Sequence, residues 1–394
     1  MDRAKIGIVG DDDLLTSLYV MSASALGIND VVAVAPVLDE SLIATAKKVN
    51  TRLSITHMVG FYTHPVMDDI FIGCDLIVDL SQYGLANKLL LEKGFREGLP
   101  IIRGFCYEND DEQGFRVFTY VRGREWQELE QIVSPNNLPR RHFDDGVLDI
   151  IVSGIALEET KNILMGQELS EDMISYERKK LGAITGEPNI LVTGSGALGV
   201  FVGLGLAYAG LQNTTFMDPD ITDLTNLNRQ VFLYEAVGTS KAGTLSRRLN
   251  RLFGTNTNAE VAYFTKNTDI TTFNTIFDCV DNFETRIVMS EKCKDQKKIL
   301  ISGGTNVDAG QVVIYDPKKD DNTPAELLGL YDIVDQRQVD AQPRDRASCT
   351  YHPDPSVIMT NQIVAGLMVD SYRMLLDGQE PINIFYNSTS NGRI

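Results

Sequence analysis

The sequence predicts an α/β protein made of two Rossmann-like, doubly wound units in tandem, the first degenerate and the second complete. Three observations carry that expectation. Short β-branched runs alternate with helical stretches along most of the chain, as in parallel strands joined by crossover helices. The alternation occurs twice, in the same order. The chain, at 394 residues, is also long for one hydrophobic core, so two domains are expected.

The elements come in order. KIGIVGDDDLLTSLYVMSASALGINDVVAVAPV reads as strand, turn, helix and strand, and CDLIVDLSQYGLANKLLLEKGFREGLPIIRG as a later strand, helix and strand. NILVTGSGALGVFVGLGLAYAGLQNTTFMDPD and IFDCVDNFETRIVMSEKCKDQKKILISGG repeat both patterns. The match sets Gly10 over Gly194, Pro36 over Pro219 and Asp79 over Asp281. Two matches in one order favour a duplicated unit over coincidence. Between them, residues 120–185 are rich in charge and contain SPNNLPRR, a loop or linker. LSEDMISYERKKLG reads as a capped helix leading into the second unit. The expected domains are therefore residues 1–125, a linker and helical connection over 126–167, and residues 168–394.

Bulk composition narrows the function. The net charge of −18, from 36 basic against 54 acidic residues, disfavours general binding to nucleic acid or an anionic membrane. No apolar run is long enough to cross a bilayer, and the N-terminal MDRAKIGIVGDDD meets three aspartates where a signal peptide would stay apolar. The five cysteines (Cys74, Cys106, Cys279, Cys293, Cys349) are scattered and never spaced as C-x-x-C. That pattern fits a reducing cytoplasm and gives no structural zinc clasp.

The two copies differ where a ligand would bind. In the second, Gly194, Gly196 and Gly199 form G-x-G-x-x-G, a tight turn that brings phosphate to a helix N-terminus. In the first, Asp12 and Leu15 replace the last two glycines, and Asp11, Asp12 and Asp13 stand where phosphate would lie. Each carboxylate would repel it by on the order of a kcal/mol or more. Asp218 and Asp220 correspond to Ala35 and Val37, so the first copy keeps the scaffold without the site.

A glycine-rich turn with Asp218 on the ribose would suffice for a nicotinamide enzyme. Such an enzyme has no use for Asn226, Arg229 and Gln230 in DITDLTNLNRQ, nor for Lys241. Two cationic side chains near a phosphate turn suit a triphosphate, where they carry the charge that develops on leaving pyrophosphate. Asp281, at the end of a later strand, would face that triphosphate unfavourably unless it held Mg²⁺, and Asp220 is a second candidate ligand. Asp223 reads as a cap or solvated charge, and Arg286 as the partner of a neighbouring carboxylate.

G-x-G-x-x-G, D-x-D, T-N-L-N-R-Q, a following lysine and D-N-x-x-x-R together resemble the ThiF/MoeB/HesA group of E1-like adenylating enzymes. Lys241 lies one residue nearer than in the family pattern. The resemblance covers residues 168–316 and extends to PSVIMTNQIVAGLMVDSYRMLL. It implies an E1-like ATP-binding adenylation domain in which a carboxylate attacks the α-phosphorus of ATP, giving an acyl-adenylate and pyrophosphate. It places Asp218 on the ribose, and Asn226, Arg229, Gln230 and Lys241 on phosphates. Asp281 falls on Mg²⁺, with Asn282 beside it in the nucleotide-binding set. SYERKK is similar to the family's arginine-bearing helix, so Arg178 would reach the ATP of a neighbouring subunit in a homodimer.

Some relatives pass the acyl group to a cysteine before the C-terminal helix, and Cys349 in RASCTYHPDP lies in that region. A small buried thiol is the commoner fate, and His352 is read as incidental. Four functions remain open: adenylation of a small-molecule acid in cofactor biosynthesis, activation of a ubiquitin-like sulfur carrier, an NAD-dependent oxidoreductase, and a silent scaffold. The first is favoured because the chain has no C-x-x-C clasp and has a degenerate Rossmann unit in place of a peptide-clamping domain. Within the family, the resemblance is taken towards the HcgE-type members of iron-guanylylpyridinol cofactor biosynthesis. There the acid is the carboxylate of a pyridinol, later passed to a partner protein's thiol.

Overall fold

Two seven-stranded sheets share one strand order. The computed structural model describes residues 3–11, 13–123, 129–139, 143–340 and 357–388. The chain divides into two compact units, one built on residues up to Gly182 and the other mainly on Ala183–Leu224 and Ala236–Tyr386.

The first unit runs β1 (Lys5–Val9), α1 (Asp13–Ala25), β2 (Asp30–Ala35), α2 (Glu40–Val49), β3 (Ser54–Val59), β4 (Leu76–Asp79), α3 (Gly84–Glu97), β5 (Ile101–Glu108), β6 (Glu112–Tyr120), α4 (Leu129–Ile132), α5 (Gly146–Met165) and β7 (Ile174–Lys179). Its sheet order is β3-β2-β1-β4-β5-β6-β7. The first five strands are parallel, and β6 and β7 are antiparallel additions. Strands β1 and β4 are near-continuous apolar runs, as expected of parallel strands covered on both faces.

The second unit repeats this with β8 (Ile190–Thr193), α6 (Ala197–Tyr208), β9 (Thr214–Met217), α7 (Lys241–Phe253), β10 (Asn258–Glu260), β11 (Thr275–Asp278), α8 (Phe283–Gln296), β12 (Ile299–Thr305), β13 (Ala309–Tyr315), α9 (Pro324–Leu327), α10 (Leu330–Asp340), α11 (Ile358–Leu376) and β14 (Ile384–Asn387). The order β10-β9-β8-β11-β12-β13-β14 matches the first sheet strand for strand. The helix before each last strand also matches, since α5 packs on α1 as α11 packs on α6. The duplication thus extends beyond the segments in which the sequence shows it.

Three expectations change. The helix in the segment read as a linker and helical connection is α5, twenty residues capped by the Asp145 carboxylate and ended by left-handed Gly166. This helix packs on α1, β5 and β6 as part of the first core. SYERKK is not a helix: all but its last residue lies in β7, where Ile174, Tyr176 and Arg178 are more buried than the exposed Ser175, Glu177 and Lys179, the period-two alternation of a strand. The first unit therefore runs without a break as far as Gly182, past residue 168 where the second domain was expected to begin. Finally, Val9 pairs with Asp79 and Thr193 with Asp278, so the counterpart of Asp79 is Asp278 rather than Asp281. Gly10 does match Gly194: their N–H groups donate to Val34 and Met217 at equivalent ends of β2 and β9.

Thr225–Glu235, the segment bearing N-L-N-R-Q, counts with the first unit. Among the described residues, no helix is long and apolar enough to cross a membrane.

Candidate functional site

The second unit's strand order reverses direction between β8 and β11, and ligands of such sheets bind beyond the carboxyl ends of the strands at that point. The chain leaves β8 through Gly194, whose φ of +90° few other residues adopt. A Cβ there would lie 2.6 Å from the carbonyl oxygen of Cys279. A Cβ on Gly199 would lie 1.9 Å from the carbonyl oxygen of Gly194, so glycine is needed for α6 to begin this close to the strand. Gly196 is the N-cap of α6 and supplies no side-chain cap. The N–H groups opening that helix suit an anion. The Ser195 hydroxyl is buried without a hydrogen-bond partner.

Asp218 follows β9 and ties the turn to the next loop. Its carboxylate accepts from the Ser195 N–H at 2.6 Å and from the Asp220 N–H at 2.8 Å. Burial raises its pKa above the ordinary carboxylate value, and these two amides and then Lys241 pull it back. Lys241 opens α7, where a cation meets the wrong end of the helix dipole. The Asp220 carboxylate offsets this, 2.8 Å from Lys241 Nζ, while the Asp220 carbonyl accepts from the Lys241 N–H at 3.0 Å. Asp220, the second candidate for the metal, is thus paired with Lys241.

At the end of β11, Asp278 is buried and sequence reasoning did not single it out. Burial pushes its pKa up, and Arg286 chiefly opposes that shift. Its carboxylate accepts from the Ser302 hydroxyl at 2.7 Å and lies 3.8 Å from Arg286. Arg286 also donates to the carbonyls of Val280 and Gly303, both at 2.6 Å, the carboxylate-partner reading expected of it. Asp281 and Asn282 come next and are exposed. The Asn282 side chain caps α8 by accepting from the Thr285 N–H at 2.8 Å.

Among the described residues, no three acidic, histidine or cysteine side chains form a metal-sized cluster. Magnesium bound with a nucleotide needs less: one or two carboxylates, waters and phosphate oxygens. Asp281, the carboxylate expected from the sequence in that role, is exposed after the end of β11. The glycine cradle, the uncapped helix start and the orphaned Ser195 hydroxyl fit a phosphate-bearing ligand. In the first unit the residue matching Ser195 is Asp11, whose carboxylate accepts from the Gln82 N–H at 2.9 Å. Asp12 lies outside the described residues.

The remaining motif residues are described within the first unit. Arg229 donates to the Thr225 carbonyl at 3.2 Å and to the Asn228 side chain at 3.0 Å. The amides of Arg229 and Gln230 both donate to the Asn226 carbonyl. Gln230 is 4% exposed, and its side-chain oxygen is buried without a hydrogen-bond partner. Arg178 is placed elsewhere. It is buried, donates to the Gln113 side chain and pairs with Asp145 at 3.2 Å. The arginine expected to reach a neighbouring subunit is held inside its own unit. Cys349 and His352 lie outside the described residues.

Residues 175–392, more than half of the chain, match the ThiF family. The chain belongs to the ThiF family. Its similarities include the adenylyltransferase and sulfurtransferase MOCS3 of Culex quinquefasciatus, 25% identical over 202 residues, covering 49% of this chain and 43% of that protein. The molybdopterin-synthase adenylyltransferase of Haemophilus influenzae is 31% identical over 150 residues, covering 36% of this ThiF-family chain and 60% of the relative. Less than two thirds of either relative is spanned. A crystal structure of Escherichia coli MccB with AMPCPP and selenomethionine MccA aligns with a TM-score of 0.43 and 18% identity, over 52% of this chain and 61% of that one.

Proposed function

We propose that this ThiF-family chain is an adenylyltransferase that activates a carboxylate with ATP and Mg²⁺. The observation that carries the reading lies in the second unit. There Asp218 ties the glycine turn to the loop whose Asp220 holds Lys241. A nicotinamide site needs the acid and the glycines alone; a held cation suits a triphosphate.

In the proposed reaction a carboxylate oxygen attacks the α-phosphorus of ATP. The bond from that phosphorus to the bridging oxygen breaks, and pyrophosphate leaves with the electron pair. No protein nucleophile is required, so positioning and charge stabilisation supply the acceleration. Asp218 is assigned to the ribose, and Lys241, Arg229, Asn226 and Gln230 to phosphates. Asp281 alone is assigned to Mg²⁺, which would neutralise phosphate charge. Asn282 is assigned to supporting the turn through its cap. The homodimer expected from the sequence rested on Arg178, and the buried pair with Asp145 removes that ground.

The favoured acid is a small molecule of cofactor biosynthesis, with the guanylylpyridinol carboxylate the first to try and a thiol protein as acyl acceptor. The C-terminus of a ubiquitin-like sulfur carrier is the second reading, favoured by the likeness to molybdopterin-synthase adenylyltransferase. Incubation with Mg²⁺-ATP and each acid, followed by mass spectrometry, tests both: the true substrate gains the mass of an adenylyl group, AMP less one water.

A further inference from the structure

We propose that the outer edge of β3 is a dimer interface, on which a second copy of this chain adds its own β3 antiparallel about a two-fold axis at His57. β3 ends the first sheet, and among the described strands none lies beyond it. The Ser54 and Gly60 amides donate to the carbonyls of Asn29 and Ala35 on the β2 side, at 2.7 and 3.2 Å. Alternation along the strand then turns the N–H and C=O groups of Ile55, His57 and Val59 away from the sheet. Backbone groups in such a row are a template for another strand.

The other three sheet edges are guarded, and this one is not. β10 is three residues long and β14 four, while β7 carries exposed Glu177 and Lys179. β3 has six residues without a charged side chain, a proline or a glycine, and five of them are exposed. Short or charged edges are how proteins prevent pairing, so an edge with neither device is left open to it.

Two features make a second copy the occupant. At a net charge of −18, two copies repel wherever their acids meet, yet no Asp, Glu, Lys or Arg occurs from Leu53 to Met67. β3 lies inside that neutral stretch, whose exposed side chains include Met58, Val59, Phe61 and Val66. The strand is also self-complementary about His57. Antiparallel pairing there sets Ile55 against Val59 of the second copy, twice by symmetry, and β-branched residues favour such pairs. His57 exchanges both backbone bonds with its own counterpart. Its ring is turned back over its own sheet, with Nε2 2.9 Å from the Ala35 carbonyl oxygen. The contact uses none of the residues assigned to nucleotide and does not depend on Arg178, so it is not the homodimer expected from the sequence.

Sedimentation velocity over a range of concentrations, with hydrogen exchange read at single amides, tests the proposal on the full chain. The native protein should approach twice the mass of one chain as concentration rises, and added salt should tighten the dimer by screening the acidic repulsion. In the dimer the amides of Ile55, His57 and Val59 should exchange more slowly, while those of Thr56 and Met58, already turned to β2, stay as they are. Val59→Lys should raise the dissociation constant by about tenfold or more, because symmetry doubles each lost pair. His57→Pro should do the same, since its N–H faces away from β2 and proline there spares the sheet. Phe385→Lys, at a comparably exposed position on β14, should leave the constant unchanged. A native protein that stays monomeric would overturn the proposal, as would a dimer that survives both Val59→Lys and His57→Pro or that loosens with salt. Dissociation by Phe385→Lys alone would overturn it in favour of the second sheet's edge.

Discussion

Arg286 and Asp278 form a buried ion pair at the carboxyl end of β11, 3.8 Å between guanidinium and carboxylate. The first unit has the same pair with the arginine moved, since Arg103 lies 3.8 Å from Asp79. In the sheets, Asp79 is in register with Arg103, and Asp278 with Ser302. On the helices, Asn87 of α3 bonds Asp79 at 2.8 Å where Arg286 of α8 serves Asp278. The cation comes from the strand in one copy and from the helix in the other. On the helix it also reaches the carbonyls of Val280 and Gly303, bracing the loop that leads to Asp281.

Removing that cation should be costly in a pH-dependent way. Arg286→Met strands Asp278 in the core, at a cost of about 3–5 kcal/mol near neutrality. Burial already raises the folded pKa of Asp278, so its stabilising contribution is fullest below the unfolded carboxylate value and is lost as pH rises through the folded one. Without Arg286 the folded pKa climbs further. Urea melts at about pH 5 and about pH 8 should therefore show the larger deficit at the higher pH.

The glycine turn should resist even a methyl group. Gly194→Ala combines a positive φ with a backbone clash, and about 1–3 kcal/mol of stability should be lost. Gly199→Ala meets the Gly194 carbonyl and should also weaken ATP binding. Calorimetric titration with a non-hydrolysable ATP analogue reads that loss directly.

Asp220 and Asp281 should separate in a magnesium titration. With Asp220 engaged by Lys241, Asp220→Ala should raise the KM for ATP and leave the Mg²⁺ dependence unchanged. Asp281→Ala should shift that dependence to higher Mg²⁺. Lys241→Ala should lower the exchange rate by about 10²–10³-fold, the usual cost of removing a charge-stabilising group.

Arg178 should act within its own chain. Arg178→Lys should destabilise the first unit, because a lysine cannot make both the Gln113 and Asp145 contacts in the same geometry. Mixing it with Arg229→Ala protein should give no recovery of activity. Recovery would restore the trans arginine and the homodimer.

The sequence-based reading succeeded where the information was local. The glycine turn that joins β8 to α6 is a short motif whose spacing shows in one dimension, and the duplicated strands β1 and β8 are bounded by matching turns. It failed where burial erased the pattern. Helix α5 is buried along nearly its whole length and shows no amphipathic stripe, so its place in the first core did not show and it was read as part of a connection. Strand β7 is six residues of mixed charge whose alternation was masked by helix-favouring Glu177 and Lys179. The pairing of Asp79 slipped by one turn of motif because Asp278 and Asp281 stand so near each other, and only strand register separates them. Nothing in DITDLTNLNRQ announces that α1 and α2 hold the Val231–Leu233 turn directly after it, since that contact joins residues distant in sequence. Ser195 was passed over as a spacer between glycines.

The most direct test is Mg²⁺-dependent exchange of labelled pyrophosphate into ATP, with small-molecule acids and Gly-Gly-ended carrier proteins supplied separately. Exchange is expected with a small-molecule acid, falling by about 10²-fold or more in Arg229→Ala while the fold persists. Exchange with the carrier alone would transfer the chemistry to the second reading. No exchange with any carboxylate, or full exchange in Arg229→Ala, would contradict adenylation at this site.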